Sequence, residues 1–520
     1  MPGVPVLIVG AGPTGLVLAL SLARRGISFR LITEAVGPGE HSRAMVVQAR
    51  TLEFYDQLGI ADEVVRQGVI AGGAHLIEHG HQTASFSFKE LGEGLSPYPF
   101  ALAYAQDDHE RFLVEQLKAL GSPVEWNSKL AGFVQDERSV RVTVVRDGHN
   151  EEIEADYICG CDGAHSCVRE TLGIGFPGGT YEQQFYVADV KIASGFERDL
   201  YFSLGRQLLV LMFPVRSSGM QRLIGLVPPE LSAREELSFE DIRPNVEPLL
   251  GIRVTDVNWF SAYRVHHRVA ERFRSGRAFL LGDAGHIHSP VGGQGMNTGI
   301  GDAINLAWKL AQVIQERDAG ELLETYEQER IGFARVLVST TDRAFTPITA
   351  GGLGGEFIRR FVAPFFFTAA THFDLSRHAI FRLVSQTRIH YAESPLSSGR
   401  AGEVHGGDRL PRVRMHSGDN FSALRSLEWQ MHVYGQIQSV LAAACHQLGL
   451  QIQAFPWSPQ AERAGLQRNA AYLVRPDGYV SLANGDQEAS AFIDFVDRFA
   501  LRFPVHSVIS PFAPRKTTGI

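Results

Sequence analysis

GAGPTG, at Gly10–Gly15, lies between the apolar run Val6–Val9 and the helical pattern LVLALSLARRG, which ends at Gly26. A short apolar run bounded by glycine reads as a buried parallel strand. The helix that follows offers unpaired amides backed by the positive end of its dipole. This turn suits a pyrophosphate. Gly10 ends the strand, Gly12 lets the backbone approach the anion, Pro13 and Thr14 complete the turn, and Gly15 lets helix and strand pack closely. A second apolar run, Phe29–Ile32, delivers Glu34 where a carboxylate accepts the hydroxyls of an adenosine ribose and repels a 2′-phosphate. The spacing predicts an α/β, Rossmann-like domain whose resident nucleotide is not NADP. GxGxxG alone is a weak signal; the strand before it, the helix after it and Glu34 strengthen it.

Two further stretches extend the pattern. GDAGHIHSPVGGQGMN, at Gly282–Asn297, follows the buried run Ala278–Leu281. Asp283 stands at the strand end, placed to accept from a ribityl hydroxyl. Pro290 fixes the backbone, and the run through Gly292, Gly293, Gln294, Gly295, Met296 and Asn297 leaves amides open ahead of a helix over Thr298–Gln315. Such amides suit an electron-rich ring edge or an oxyanion. CDGAHSCVR, at Cys161–Arg169, follows an alternating strand over Ala155–Cys161 and turns at Asp162-Gly163 into a helix begun by Ser166 and Arg169. This turn reads as packing the nucleotide fold and contacting both nucleotides; a surface ion pair is an equal reading of Arg169. Together, in this order, the stretches point to FAD held for oxygen chemistry.

In order and spacing these stretches resemble the group A flavoprotein monooxygenases, the single-component aromatic hydroxylases that include p-hydroxybenzoate hydroxylase and phenol hydroxylase. SRAMVVQARTLEFYDQLG at Ser42–Gly59 is similar to the family segment whose arginine, here Arg43, lies against the flavin and serves catalysis. Gln106, in AYAQDDHERFL, is similar to a glutamine on the ribityl chain. YRVHHRVAERFRSGRAFLLGDAGH at Tyr263–His286 is close to the phenol hydroxylase branch. The resemblance implies an enzyme using FAD and NADPH or NADH to hydroxylate a phenolic or polycyclic aromatic compound with O2, through a flavin C4a-hydroperoxide. It implies a pocket between flavin and a sheet, with Tyr186, Tyr201, Phe202, Met212 and Phe213 on the sheet and Pro290 and Val291 on the flavin side. Each of these also reads as plain core.

Activation of the phenol departs from the family pattern. Aligning on Arg50-Thr51-Leu52-Glu53 puts Met45 where phenol hydroxylase has an aspartate base. Tyr263 is a candidate to hold the phenolate oxygen and His288 a candidate base, because histidine titrates near neutral pH; His286 reads as structurally hydrogen-bonded. A flavin reductase or halogenase-like enzyme is an alternative, although no two tryptophans sit in the WxWxIP spacing of halogenases. A non-catalytic flavoprotein is another.

Changes of pattern divide the chain into a FAD domain with helical extension (1–175 and 264–390), a substrate-binding β-sheet domain (176–263) and a C-terminal domain (391–520) whose order of strands and helices resembles the thioredoxin-like domain of the phenol hydroxylase branch. The tail has only Cys445 and no CxxC pair, so it reads as structural or as an oligomer contact, which leaves a homodimer open. A net charge of −8 argues against nucleic acid or an anionic membrane as partner. The aromatic run at 361–370 contains Pro364 and is too short to span a bilayer. The four cysteines form no metal or disulfide pattern, and with no signal-peptide pattern at the start the chain reads as cytoplasmic.

Overall fold

Val4–Val9 pairs in parallel with Phe29–Ile32 on one side and with the end of His149–Gly160 on the other, and Ala278–Leu280 adds in parallel beyond. Strands distant in sequence thus become neighbours, and the nucleotide-binding sheet is discontinuous along the chain. Val9 is in register with both Ile32 and Gly160, so Gly10, Cys161 and Gly282 emerge at the same carboxyl edge. That edge is where open parallel sheets bind ligands. The computed structural model describes residues 3–39, 44–193, 196, 198–205, 208–234, 236–289, 293–316, 320–349, 374–416 and 418–503. Arg43, Pro290, Val291, Gly292 and the aromatic run at 361–370 lie outside them.

The helix Pro13–Arg24 follows the first strand with proline in its first turn and buries Leu16–Leu22 against the sheet. Gly15 is required by packing: a Cβ there would stand 2.0 Å from the carbonyl oxygen of Gly10. The long helix Gly295–Glu316 packs against this helix and is buried along most of its length.

The second sheet has eight strands, running from His286–Ile287 through Val254–Val269, Gly178–Ile192, Gln221–Leu226, Leu209–Pro214 and Leu200–Leu204 to the hairpin Gly73–Glu78 and His81–Ser87. It therefore takes in strands outside the expected 176–263. Register decides what each face carries. Phe202 pairs with Leu211, Leu211 with Ile224 and Ile224 with Val187, which puts these side chains on one face. Tyr201, Met212, Leu223 and Ala188 form the next row, on the opposite face, where the helix Phe239–Leu250 covers them.

In the tail, Gln430–Tyr434, the helix Ser439–Leu448 and Gln451–Phe455 form a parallel strand–helix–strand unit. The hairpin Ala471–Val474 and Val480–Asn484 and the helix Ala489–Arg498 follow. This is the strand and helix order of a thioredoxin-like domain. Cys445 is fully buried, and burial pushes its thiol up to about 12. Cys445→Ser is expected to leave turnover intact and lower stability by about 1–3 kcal/mol, the effect of a hydroxyl in an apolar site. Thermal unfolding and a rate assay check this; lost turnover at wild-type stability and flavin content would put the thiol in the mechanism.

The hairpin turn at Asp477-Gly478 is buried and docks into the FAD domain. Asp477 accepts from Trp308 Nε1 at 3.1 Å, and its carbonyl accepts from Arg50 at 2.9 Å. Arg475 reaches Glu329 at 2.7 Å and also pairs with Asp477, while Lys309 reaches Glu329 at 2.8 Å. Arg475, Glu329 and Lys309 have no solvent-exposed side-chain surface. Burial opposes the charge on Glu329, but Arg475 and Lys309 outweigh it and hold its carboxyl far below the usual range. Among the described residues no helix is long and apolar enough to cross a membrane.

Candidate active site

A cavity of about 570 Å³ runs from the carboxyl edge of the nucleotide sheet to the second sheet. At one end stand Gly12, Pro13 and Thr14. Gly12 caps the helix without any side-chain acceptor, so the first helical amides stay available. A Cβ built on Gly12 meets nothing within 4 Å, in contrast to Gly15. Open space beside unpaired amides is the arrangement an elongated anion needs.

Further along are Gln106, which begins the helix Gln106–Ala119, and Asp283, in the turn after Ala278–Leu280. Gln106 Nε2 donates to Glu110 at 2.8 Å. Gly293, Gln294, Gly295 and Met296 line the next part, at the start of the helix Gly295–Glu316. Asp302 holds this loop region from behind: it accepts from the Gly282 amide at 3.0 Å, His286 Nε2 at 2.6 Å and Arg330 Nε at 2.6 Å. Burial works against ionisation of Asp302, yet Arg330 and His286 keep its carboxyl below the ordinary range.

Several expected cofactor residues stand behind the cavity. Asn297 accepts from the Gln48 amide at 2.9 Å and Thr51 Oγ1 at 2.8 Å, and donates to the carbonyls of Val46 and Gly293 at 2.8 Å. These bonds tie the glycine loop to the segment before the helix Ala49–Gln57. Asp162 accepts from the Val168 amide at 3.1 Å, and Gly10 and Gly15 serve packing. Glu34 is at the expected strand end, 69% exposed, with Lys129 at 3.2 Å. Arg169 is not a surface ion pair: it is buried, donates to the carbonyls of Ala284 and Ala164, and so braces the second glycine stretch against the third.

On the sheet, Phe202 and Phe213 line the cavity together with Leu211 and Ile224, and Tyr201 borders it. Tyr186 and Met212 face the other way and are fully buried beneath the helix Phe239–Leu250. Tyr263 lies off the cavity, stacked on Phe185 with ring centroids 6.0 Å apart. Leu211 and Ile224 were missed, although Leu211 shares the parity of Phe213. Phe88, Leu91, Phe100, Ile380 and Phe381 add to the apolar lining. His288 is buried on the cavity wall with Nδ1 donating to the Ser289 carbonyl at 2.8 Å, and Met45, not an acid, also lines the cavity. Among the described lining residues Asp283 is the one carboxylate, and there is no Lys or Arg.

Residues 3–341 match the family model for the FAD binding domain. The chain belongs to this FAD-binding family. It is a flavin-dependent monooxygenase: it is 33% identical over 498 residues to a flavin-dependent monooxygenase of Mycobacteroides abscessus, covering 92% of this chain and 96% of that one. It is 37% identical over 424 residues to the 6-methylpretetramide 4-monooxygenase of Streptomyces rimosus, covering 78% of this chain and 73% of that one. Among solved structures, the anhydrotetracycline hydroxylase OxyS from Streptomyces rimosus superposes with a TM-score of 0.75 at 27% identity, over 96% of this chain and 99% of that one. The FAD-binding monooxygenase fold thus spans the tail as well as the nucleotide domain.

Proposed function

We propose that the chain hydroxylates a neutral fused-ring phenol held against the sheet face of Phe202, Leu211, Phe213 and Ile224. The composition of the wall carries this reading. A benzoate-type substrate would bury its carboxylate with no Lys or Arg among the described lining residues to meet it, and burial of an unpaired charge is strongly unfavourable. A fused-ring phenol instead exchanges apolar surface for apolar surface. The relatives named for 6-methylpretetramide and anhydrotetracycline support the same class.

Each residue then has a task. The amides of Gly12 and Thr14 take the pyrophosphate of FAD and Glu34 the adenosine ribose. Gln106 and Asp283 take the ribityl chain, and the loop Gly293–Met296 takes the polar edge of the ring system. Asn297 and Asp302 hold that loop in place. Bound FAD, reduced by NADPH or NADH, supplies the oxygen chemistry. The apolar walls exclude water from the reacting atoms. His288 orients the phenol: its Nδ1 proton is committed to the Ser289 carbonyl, an assignment inferred from that bond, which makes Nε2 the basic nitrogen and the acceptor for a phenolic proton. With Met45 in place of an acid, His288 is the base on this wall.

Oxidation of NADPH or NADH by the FAD-loaded protein is expected to be slow alone, strongly stimulated by tricyclic or tetracyclic phenols, and little changed by 4-hydroxybenzoate. Stimulation by 4-hydroxybenzoate in preference to fused rings would contradict this reading, as would equal rates with and without any phenol.

A further inference from the structure

Two short helices form a second wall of the cavity. Phe88–Gly92 contributes Phe88 and Leu91, and Asp374–Val384 contributes Ile380, Phe381 and Val384. They meet at one tight contact. A Cβ built on Gly92 would stand 2.5 Å from Cε2 of Phe381, 2.7 Å from Cζ and 2.9 Å from Cδ2. The Phe381 ring therefore rests on bare backbone on one side and borders the cavity on another, and it is only 3% exposed.

The end of this second helix is tied to the glycine loop at the cofactor end. Gln294 Nε2 donates to the Val384 carbonyl at 3.0 Å, and Gln386 Nε2 donates to Gln294 Oε1 at 2.6 Å and to Thr298 Oγ1 at 3.0 Å. The carbonyl of Ser385 accepts from the Arg50 amide at 3.1 Å. A ring seated on backbone, on a helix clamped to the rigid side of the site, has little room to withdraw from a substrate.

We propose that Phe381, seated on Gly92, is a specificity-determining residue that limits how many fused rings the cavity admits. This rests on the hydroxylase reading above. A side chain smaller than phenylalanine at position 381 lengthens the cavity. A methyl group at position 92 drives the ring into it, since the backbone behind the ring cannot yield as a flexible side chain would.

The test compares Phe381→Leu and Gly92→Ala with the wild type, all FAD-loaded, using phenols of two, three and four fused rings. Dissociation constants come from the change in flavin absorbance on binding, and KM and kcat from NADPH oxidation. Phe381→Leu is expected to shift the ratio of affinities towards the largest phenol by about tenfold, the discrimination expected from a small change of apolar pocket volume. Gly92→Ala is expected to shift it the opposite way, with KM following the dissociation constants. If Gly92→Ala fails to fold, Phe381→Leu decides alone. A size ratio equal to the wild-type ratio in a folded, FAD-loaded Phe381→Leu would overturn the proposal while leaving the hydroxylase reading intact. Absence of binding and stimulation by every phenol in the wild type would overturn both.

Discussion

Gly12→Val is expected to give a folded protein that contains no flavin. Space for the new side chain is open in the protein itself, since a Cβ there meets nothing within 4 Å, so neither the sheet nor the helix Pro13–Arg24 has to move. The same space lies beside the uncapped helical amides, where the pyrophosphate is proposed to sit. The anion cannot withdraw without losing those amides, so the loss of affinity is expected to be about 3 kcal/mol or more, the upper end of what overpacking costs. Gly15→Ala, in the same motif, is expected to fail differently. Its Cβ would fall 2.0 Å from a backbone oxygen, so the protein should lose its fold and not merely its flavin. Visible absorbance at purification and thermal unfolding separate the two outcomes. A yellow Gly12→Val protein would show that the nucleotide lies elsewhere.

Arg475→Met is expected to destabilise the protein by about 3–5 kcal/mol, the typical effect of breaking a buried ion pair from one side. The substitution removes one of the two cations on Glu329 and the ion-pair partner of Asp477, and both carboxylates are almost wholly enclosed. Lys309 still faces Glu329 but does not reach Asp477 by any hydrogen bond among the described residues. Since this hairpin joins the tail to the helix whose first turn lines the cavity, the loss should appear as a lower Tm and aggregation before any change in flavin content. A wild-type Tm would mean that the tail is held by its apolar contacts alone.

Local stereochemistry made much of the molecule legible. A strand, a glycine turn and a helix have the same meaning wherever they fall, so Gly10–Gly15 and Gly282–Asn297 were each read from their patterns alone as a turn between a buried strand and a helix, and the strand pairing brings them to one sheet edge. Face assignment on the second sheet was not legible in the same way. Shifting a strand by one residue reverses every side chain, and the pairing that fixes parity comes from strands far away in the chain. Tyr186, Tyr201, Phe202, Met212 and Phe213 were all expected on the cavity, and the pairing leaves Phe202 and Phe213 facing it while Tyr186 and Met212 turn to the opposite face. The hairpin Gly73–Ser87 joins that sheet at its edge, and no local pattern announces such a partner. Charges inside helices were the other obstacle. Lys309 sits in LAWKLAQVI where an exposed lysine would also fit, and its partner Glu329 comes from 20 residues further along the chain, so no local pattern shows that this charge is buried and paired. Asn297 shows a further limit: the motif places it beside the loop, but its hydrogen bonds reach back to Gln48 and Thr51, from a segment remote in sequence.

The most direct test of a monooxygenase acting on a neutral fused-ring phenol is oxygen labelling. FAD-loaded protein, NADPH and a tetracyclic phenol are incubated under 18O2 in ordinary water, and the product is analysed by mass spectrometry. One 18O atom per hydroxylated product, with none gained from labelled water under ordinary O2, is the predicted result. Oxidation of NADPH that ends only in hydrogen peroxide, or a product whose new oxygen comes from water, would contradict the account.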